Sequence, residues 1–500
     1  MNISILKKLL LALLAATVVM GARADAQDIN LPDMGSPADA LLSKSQEAQI
    51  GRAIMAQLRG TGRVVEDPLI SEYINEIGSR IAAQTNDGSQ SFTFFVIDDP
   101  NINAFALPGG YIGVHTGLLE ATRNESELAG VLAHEVAHVT QRHIARSLYA
   151  SQRQSILTTA IMLGAILAGV ATGDGDAATA GIAVAQGAAA QQRINYTRSN
   201  EYEADRIGIG AMADAGFDPH GMGSFFEVMS RQSPADISMR APEFMRTHPV
   251  TTTRIAEARN RAREYPRVPT SNSTNYGISL ARARVQGFES AEEAVRFYEA
   301  RDYENQNDYE KYGRALAYQR DGRNRDANRI FEALLERNQK VIAYHIGVAQ
   351  TQLSLEQNDR GIATFERAMA LFPRNVPVVI AYGEWLLQLD QAEKAHAFLL
   401  DLMNNVPPTP EQVRLIARAA SEAGDTAESL YYLSEYHLMT GNLIGGISFL
   451  QRALSLPELE EIQRIRFEAR IDFIREFMSE EQLKQLQRAQ PSGTSARNSN

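Results

Sequence analysis

Three positions in the C-terminal half, Phe331, Phe365 and Leu399, rise in steps of 34 residues. A small residue stands four before each (Ala327, Gly361, Ala395), and a proline follows eight after the last two (Pro373, Pro407). A fixed period of this length does not arise from one compact core. It requires a pair of helices, too small to bury its apolar face alone, that stacks on copies of itself. Phe449, with Gly445 before it and Pro457 after it, restarts the pattern following 16 additional residues, about one extra helix.

Small residue, aromatic and proline at this period form the tetratricopeptide pattern, in which helix pairs wind into a concave superhelix. Such a surface is expected to bind a partner; a purely structural extension is the bland alternative. Upstream, YPRVPTSNSTNYG, 265 to 277, is rich in Pro, Ser, Thr and Asn and reads as a linker. The chain of 500 residues then divides into a leader, 1–26, a first globular domain, 27–265, a linker, 266–277, and a repeat domain, 278–488. Residues 489–500, AQPSGTSARNSN, are expected to be disordered.

The first domain carries VLAHEVAHVTQRH at 131 to 143, with three of the chain's nine histidines. On a helix, His134 and His138 project from one face a single turn apart, as a clamp for a metal. Glu135 lies about 100° round, where its carboxylate reaches a water on the metal without coordinating it. This is H-E-x-x-H, in which neutral imidazoles hold Zn²⁺ and the glutamate takes the proton of the attacking water. His143, about half a circle from His134 on an unbroken helix, falls outside the clamp. The bland reading is a helix of solvated or capped histidines.

A catalytic zinc site needs a third protein ligand. The pattern H-E-x-x-H-x-x-G-x-x-H fails, because position 141 is Gln and position 144 is Ile. A glutamate from a second helix is available in NEYEADRIG, 200 to 208. Glu201 and Asp205 share a face at i, i+4, so Glu201 can bind the metal while Asp205 accepts a ring N–H from a liganding histidine. Glu203 points about 200° from Glu201 and is the weaker ligand candidate. A solvated charged face is the alternative for the pair Glu201 and Asp205.

HEVAH, then TRSNEYEAD, then HPVTTTRI at 248 to 255, preceded by NAFALPGGYIGVHTGLL at 103 to 119, resemble the landmarks of one family. It is the gluzincin zinc metallopeptidase family that contains the CAAX prenyl proteases and the heat-shock membrane peptidases. The resemblance covers roughly residues 40 to 265. It implies His134, His138 and Glu201 as ligands of one Zn²⁺, Glu135 as the base, and Asp205 as the carboxylate that orients a ligand. Thr197 departs from the Ser that many relatives carry before the Arg, without touching the chemistry. The expected fold is α+β and mostly α-helical: a zincin-like metalloprotease domain with a small sheet, then an all-α tetratricopeptide-repeat superhelix. A secreted gluzincin joined to such repeats further resembles periplasmic proteases of outer-membrane quality control. That resemblance implies unfolded or misassembled outer-membrane β-barrel proteins as clients, with the barrel assembly machinery docking on the repeats.

The leader has Lys7 and Lys8, an apolar stretch from Leu9 to Met20, and Ala22-Arg23-Ala24 or Ala24-Asp25-Ala26 as cleavage site. It reads as a secretory signal, removed in a periplasmic protein. The sequence has no cysteine, which excludes lipoprotein anchoring and a disulfide framework. Cleavage before Asp25 removes Lys7, Lys8 and Arg23 and takes the formal net charge from −11 to −14. That charge argues against nucleic acid and against loose adhesion to anionic lipid, leaving at most peripheral membrane contact. The apolar run Ile156 to Val170 is shorter than the roughly 20 residues that span a bilayer. Gly173-Asp174-Gly175-Asp176 separates it from the second block, which ends at Ala190. A small-residue helical hairpin packed beside the active site is expected, with a mobile apolar lid or lipid contact as the alternative.

SFTFFVIDD, 91 to 99, alternates as a strand, and Pro108-Gly109-Gly110 turns the chain into a second strand, YIGVH. A sheet edge here would let an extended polypeptide pair its backbone beside the zinc. His115 reads as an exposed polar residue. His248 stands before Pro249, which keeps it out of helix. It could be solvated, donate to the tetrahedral oxyanion, or fill the open zinc position. The reading adopted is a plug that occupies the zinc at rest and leaves when a client docks. Two other functions stand beside the protease: a chaperone or adaptor whose metal site is latent, and a metal-stabilised scaffold. Glu135 argues against both, because a structural site has no need of a base.

Overall fold

The structure is a computed structural model that describes residues 42–85, 90–150, 197–232, 243–269, 271–476, 478 and 480–489. The expected leader, the apolar segment 156–190 and the tail beyond 489 lie outside the described residues.

Thr93–Ile97 (β1), Ala104–Leu107 (β2) and Tyr111–His115 (β3) form a sheet in the order β1-β3-β2. β1 runs parallel to β3 from Thr93↔Tyr111 to Ile97↔His115, and β2 runs antiparallel to it from Ala104↔Val114 to Leu107↔Tyr111. The hairpin between β2 and β3 turns on Gly109 and Gly110 at φ 80° and 86°, where a side chain is strained. Among the described residues β2 is an outer strand of this sheet. His115 is buried rather than exposed, its Nδ1 3.7 Å from Asp99 Oδ1. Pairing of β3 on both sides draws its last residue inward, which strand alternation alone does not reveal.

Two helices cover the sheet. Pro68–Ala82, capped by Asp67, buries Ile70, Ile74, Ile77 and Ile81 against Phe94 and Val96. Glu125–Thr140, capped by Asn124, is buried on every side from Ser126 to Ala137. A helix apolar all round belongs at the centre of a domain. Helix His220–Gln232 crosses it so closely at Gly130 that a Cβ there would sit 2.8 Å from Met222 Cα.

The first helices of five successive pairs begin at Thr274, Asp308, Ile342, Val376 and Pro410, 34 residues apart. Phe331, Phe365 and Leu399 lie on second helices and are fully buried. The small residue one turn earlier lets the pair close: at Gly361 a Cβ would be 2.4 Å from Leu353. The residues before Phe449 are not an insertion. Leu433, one period after Leu399, lies on the second helix Thr426–Met439, and Phe449 lies on the first helix of the next pair, Leu443–Leu454.

The expected linker, 266–277, ends inside the first repeat helix, Thr274–Gly287. Tyr276, Leu280 and Ala283 of that helix share the core of the sheet domain, and Tyr276 Oη donates to Thr122 O at 3.0 Å. Asp67 accepts from Arg282 Nε at 2.7 Å and from Gln286 Nε2 at 2.6 Å, and Arg282 donates to Tyr312 Oη at 2.9 Å. The repeats therefore grip Pro68–Ala82 directly. Between them lies a cavity of about 860 Å³, bordered by Leu69, Glu72, Ile346, Ile380 and Glu384. Among the described residues no helix is long and apolar enough to cross a membrane.

Candidate active site

Four side chains from three segments converge at helix Glu125–Thr140. His134 and His138 come from helix Glu125–Thr140, Glu201 from a helix over 197–214, and His248 from the extended stretch that follows helix Glu243–Thr247. Their candidate ligand atoms all lie within 4.8 Å of one another. His134 Nε2 is 3.0 Å from His138 Nε2, and Glu201 approaches each of these nitrogens to 3.4 Å. His248 Nδ1 is 3.3 Å from His134 Nε2 and 3.1 Å from Glu201 Oε1. A tetrahedron with bonds of 2.0–2.1 Å has edges of roughly 3.3 Å, so the donor set fits a metal of that size.

Glu135 is 1% exposed, and its Oε1 finds no hydrogen-bond partner among the described residues. It lies 3.6 Å from His248 Nε2. A buried carboxylate oxygen left open beside a donor cluster suits a proton acceptor. Asp205 Oδ1 is 2.9 Å from His134 Nδ1, which turns His134 Nε2 toward the cluster. Glu201 and Asp205, four residues apart on one helical face, thus differ in contact: Glu201 belongs to the candidate donor group and Asp205 meets the outer nitrogen of His134. Burial opposes their charge, but hydrogen bonds from the histidines and Arg254 hold both below the usual carboxylate range. His134 works against burial too, and its bonds to Asp205 and Glu201 push it up to about 9.

Two neighbours of this centre carry little local signal in the amino-acid sequence. Arg254, 2% exposed, donates to Asp205 through Nε and Nη2 and to Glu201 through Nη1, each at 2.8 Å. It neutralises two carboxylates that would otherwise repel each other in a dry site. Its only signal is its place in HPVTTTRI. His143, excluded from the clamp, is nevertheless buried against it, with Nδ1 2.8 Å from His138 Nδ1. Burial, then the adjacent His138, push His143 down to about 4. Glu203 is not among the cluster's candidate ligands; it accepts from Arg146 Nη1 at 2.9 Å and meets His143 Nε2 at 3.2 Å.

Arg254→Met is expected to lower the unfolding free energy of the metal-free protein by about 3–5 kcal/mol, the cost of stripping buried charges of their partner. Urea denaturation reads this. Arg254→Lys should recover only part of the loss, because a point charge cannot bridge both carboxylates as the guanidinium fork does.

Fold and site together define a metallopeptidase carrying a C-terminal tetratricopeptide array. Residues 68–262 match peptidase family M48, and residues 352–419 match the tetratricopeptide repeat. A Vibrio cholerae protein named "Putative beta-barrel assembly-enhancing protease" is 35% identical over 468 residues, 93% of this chain and 96% of that one. The Escherichia coli "Beta-barrel assembly-enhancing protease" is 36% identical over 485 residues, covering 94% and 97%. The Schizosaccharomyces pombe "Mitochondrial metalloendopeptidase OMA1" is 32% identical over 184 residues, 37% of this chain and 50% of that one. The chain belongs to peptidase family M48, in the branch of the beta-barrel assembly-enhancing proteases.

Proposed function

We propose that this chain is a periplasmic zinc-dependent endopeptidase of outer-membrane protein quality control. It cleaves unfolded or misassembled β-barrel proteins and assists their assembly by docking the barrel assembly machinery on its repeats. The names of the relatives that span nearly its whole length support the client class. The observation that carries the chemistry is the donor cluster of His134, His138 and Glu201 with the open carboxylate of Glu135 beside it.

His134 and His138 hold the metal through Nε2 and Glu201 through its carboxylate, with Asp205 fixing the ring of His134. When bound, zinc supplies the Lewis acidity that polarises a peptide carbonyl and makes water nucleophilic near neutral pH. Glu135 accepts the proton of the attacking water at Oε1 and returns it to the leaving amine. β2, the outer strand among the described residues, is suited to pair with the backbone of an extended client, which admits many sequences. At rest His248 stands among the ligands as a plug. Functionally the chain divides at the expected linker, the protease over 27–265 and the docking unit over 278–488, with helix Thr274–Gly287 packed on both.

The test is zinc content together with cleavage of an unfolded outer-membrane barrel protein by the purified chain. One zinc per chain and chelator-sensitive cleavage are expected. Zinc without cleavage under any condition would favour a chaperone or scaffold.

A further inference from the structure

We infer that His143 is a positioning residue: it accepts the ring N–H of His138 and so fixes the tautomer with which His138 offers Nε2 to the metal. The inference rests on the metallopeptidase reading and concerns how that site is built.

His138 Nε2 lies 3.0 Å from His134 Nε2 within the donor cluster, so as a ligand it must carry a lone pair. The ring hydrogen of His138 is then on Nδ1. That Nδ1 is 2.8 Å from His143 Nδ1, a separation that holds one hydrogen and not two. Since His138 supplies it, His143 Nδ1 is bare and its own hydrogen sits on Nε2. There it meets Glu203 Oε2 at 3.2 Å, a carboxylate that only accepts, and Arg146 Nη1 donates to the same oxygen at 2.9 Å. The direction of every bond is thus set from both ends: His138 to His143, His143 to Glu203, Arg146 to Glu203. One arrangement of hydrogens satisfies the row.

The backbone is built for it. Arg142 adopts φ 52°, the left-handed region that a non-glycine residue enters at a cost, and ends helix Glu125–Thr140. On an unbroken helix position 143 would lie about 140° from position 138. The break instead returns His143 to within 4.8 Å of His138, ring centroid to centroid, at 3% exposure. Each imidazole ligand from this helix therefore has its outer nitrogen held: His134 by the carboxylate of Asp205, His138 by a neutral imidazole that Glu203 keeps in register.

The test measures zinc affinity of the purified full chain in competition with a chromophoric chelator, with folding of each metal-free variant followed by circular dichroism. His143→Phe keeps the ring and removes the acceptor; a loss of roughly 10- to 100-fold in zinc affinity is expected, as for other outer partners of metal ligands. His143→Asn places an amide oxygen near the position of Nδ1 and should recover most of that loss. Glu203→Ala should lower affinity by less, and Glu203→Gln, which still accepts, should match the wild type. Wild-type affinity in His143→Phe would overturn the inference, as would equal losses in His143→Phe and His143→Asn, which would mark a packing role. Should His143→Phe fail to fold, Glu203→Ala decides: undiminished affinity overturns the inference, and a loss absent in Glu203→Gln upholds it. A wild-type chain that binds no zinc would bring down the metallopeptidase reading itself, whereas tight wild-type binding with indifferent variants removes only His143.

Discussion

Glu135→Gln is expected to lower the rate of cleavage of an unfolded barrel protein by about 10²–10⁴-fold, the usual contribution of a positioned general base. The amide fills the same space but cannot accept and carry the proton. Zinc content should hold, because Glu135 is not one of the residues whose candidate ligand atoms cluster. The fold should hold as well: the carboxylate is 1% exposed and Oε1 has no hydrogen-bond partner among the described residues, so neutralising it removes a buried charge and breaks no bond at that atom. The measurement is kcat/KM on an unfolded client beside metal stoichiometry. A variant that keeps both its zinc and its rate would remove Glu135 as the base. One that loses cleavage yet still binds clients and supports barrel assembly in cells would shift the weight of function to the chaperone reading.

The shared faces of a single helix are legible in the amino-acid sequence, because 3.6 residues per turn fixes which side chains lie together. His134 with His138 and Glu201 with Asp205 are such pairs, and the structure brings all four together with Asp205 on the ring of His134. What depends on a second element is not legible. Arg254 lies far along the chain from the two carboxylates it bridges, and nothing local announces that its guanidinium turns inward. His143 escapes any arithmetic that assumes an unbroken helix, and a left-handed Arg142 has no composition signature. The Ser and Thr residues of the expected linker are in part helix caps. Ser273 accepts from Tyr276 N, and the same polar residues that favour loops are those that open helices. The repeat is legible at the positions where second helices bury an aromatic or leucine. It misleads at Phe449, where small residue, aromatic and proline recur on a first helix instead.

His248→Ala is expected to raise basal cleavage of unfolded protein. The residue is held by three contacts: Nδ1 stands 3.1 Å from Glu201 Oε1, the ring face stacks on Phe244 at 4.9 Å and 26°, and the backbone N–H donates to Phe244 O at 2.7 Å. Its Nε2 lies 3.6 Å from Glu135 Oε1, on the side where the proposed base would serve an attacking water. On the proposed function, a protease that meets unfolded chains needs such a restraint, and a client that displaces the helix Glu243–Thr247 would carry the ring away with it. If the plugged state outweighs the open one by about 99 to 1, freeing the position can raise basal rate by up to about 100-fold. The competing role, a donor to the tetrahedral oxyanion, predicts the reverse: a fall in kcat of about 10²–10³-fold with zinc retained. The two roles also part on zinc. Loss of a plug removes one of four candidate donors and should weaken metal binding while speeding cleavage, whereas loss of a donor to substrate leaves metal binding alone and slows cleavage. Steady-state rates on an unfolded client at saturating zinc, with zinc affinity measured in parallel, separate them, and a slower His248→Ala enzyme that keeps its zinc would refute the plug.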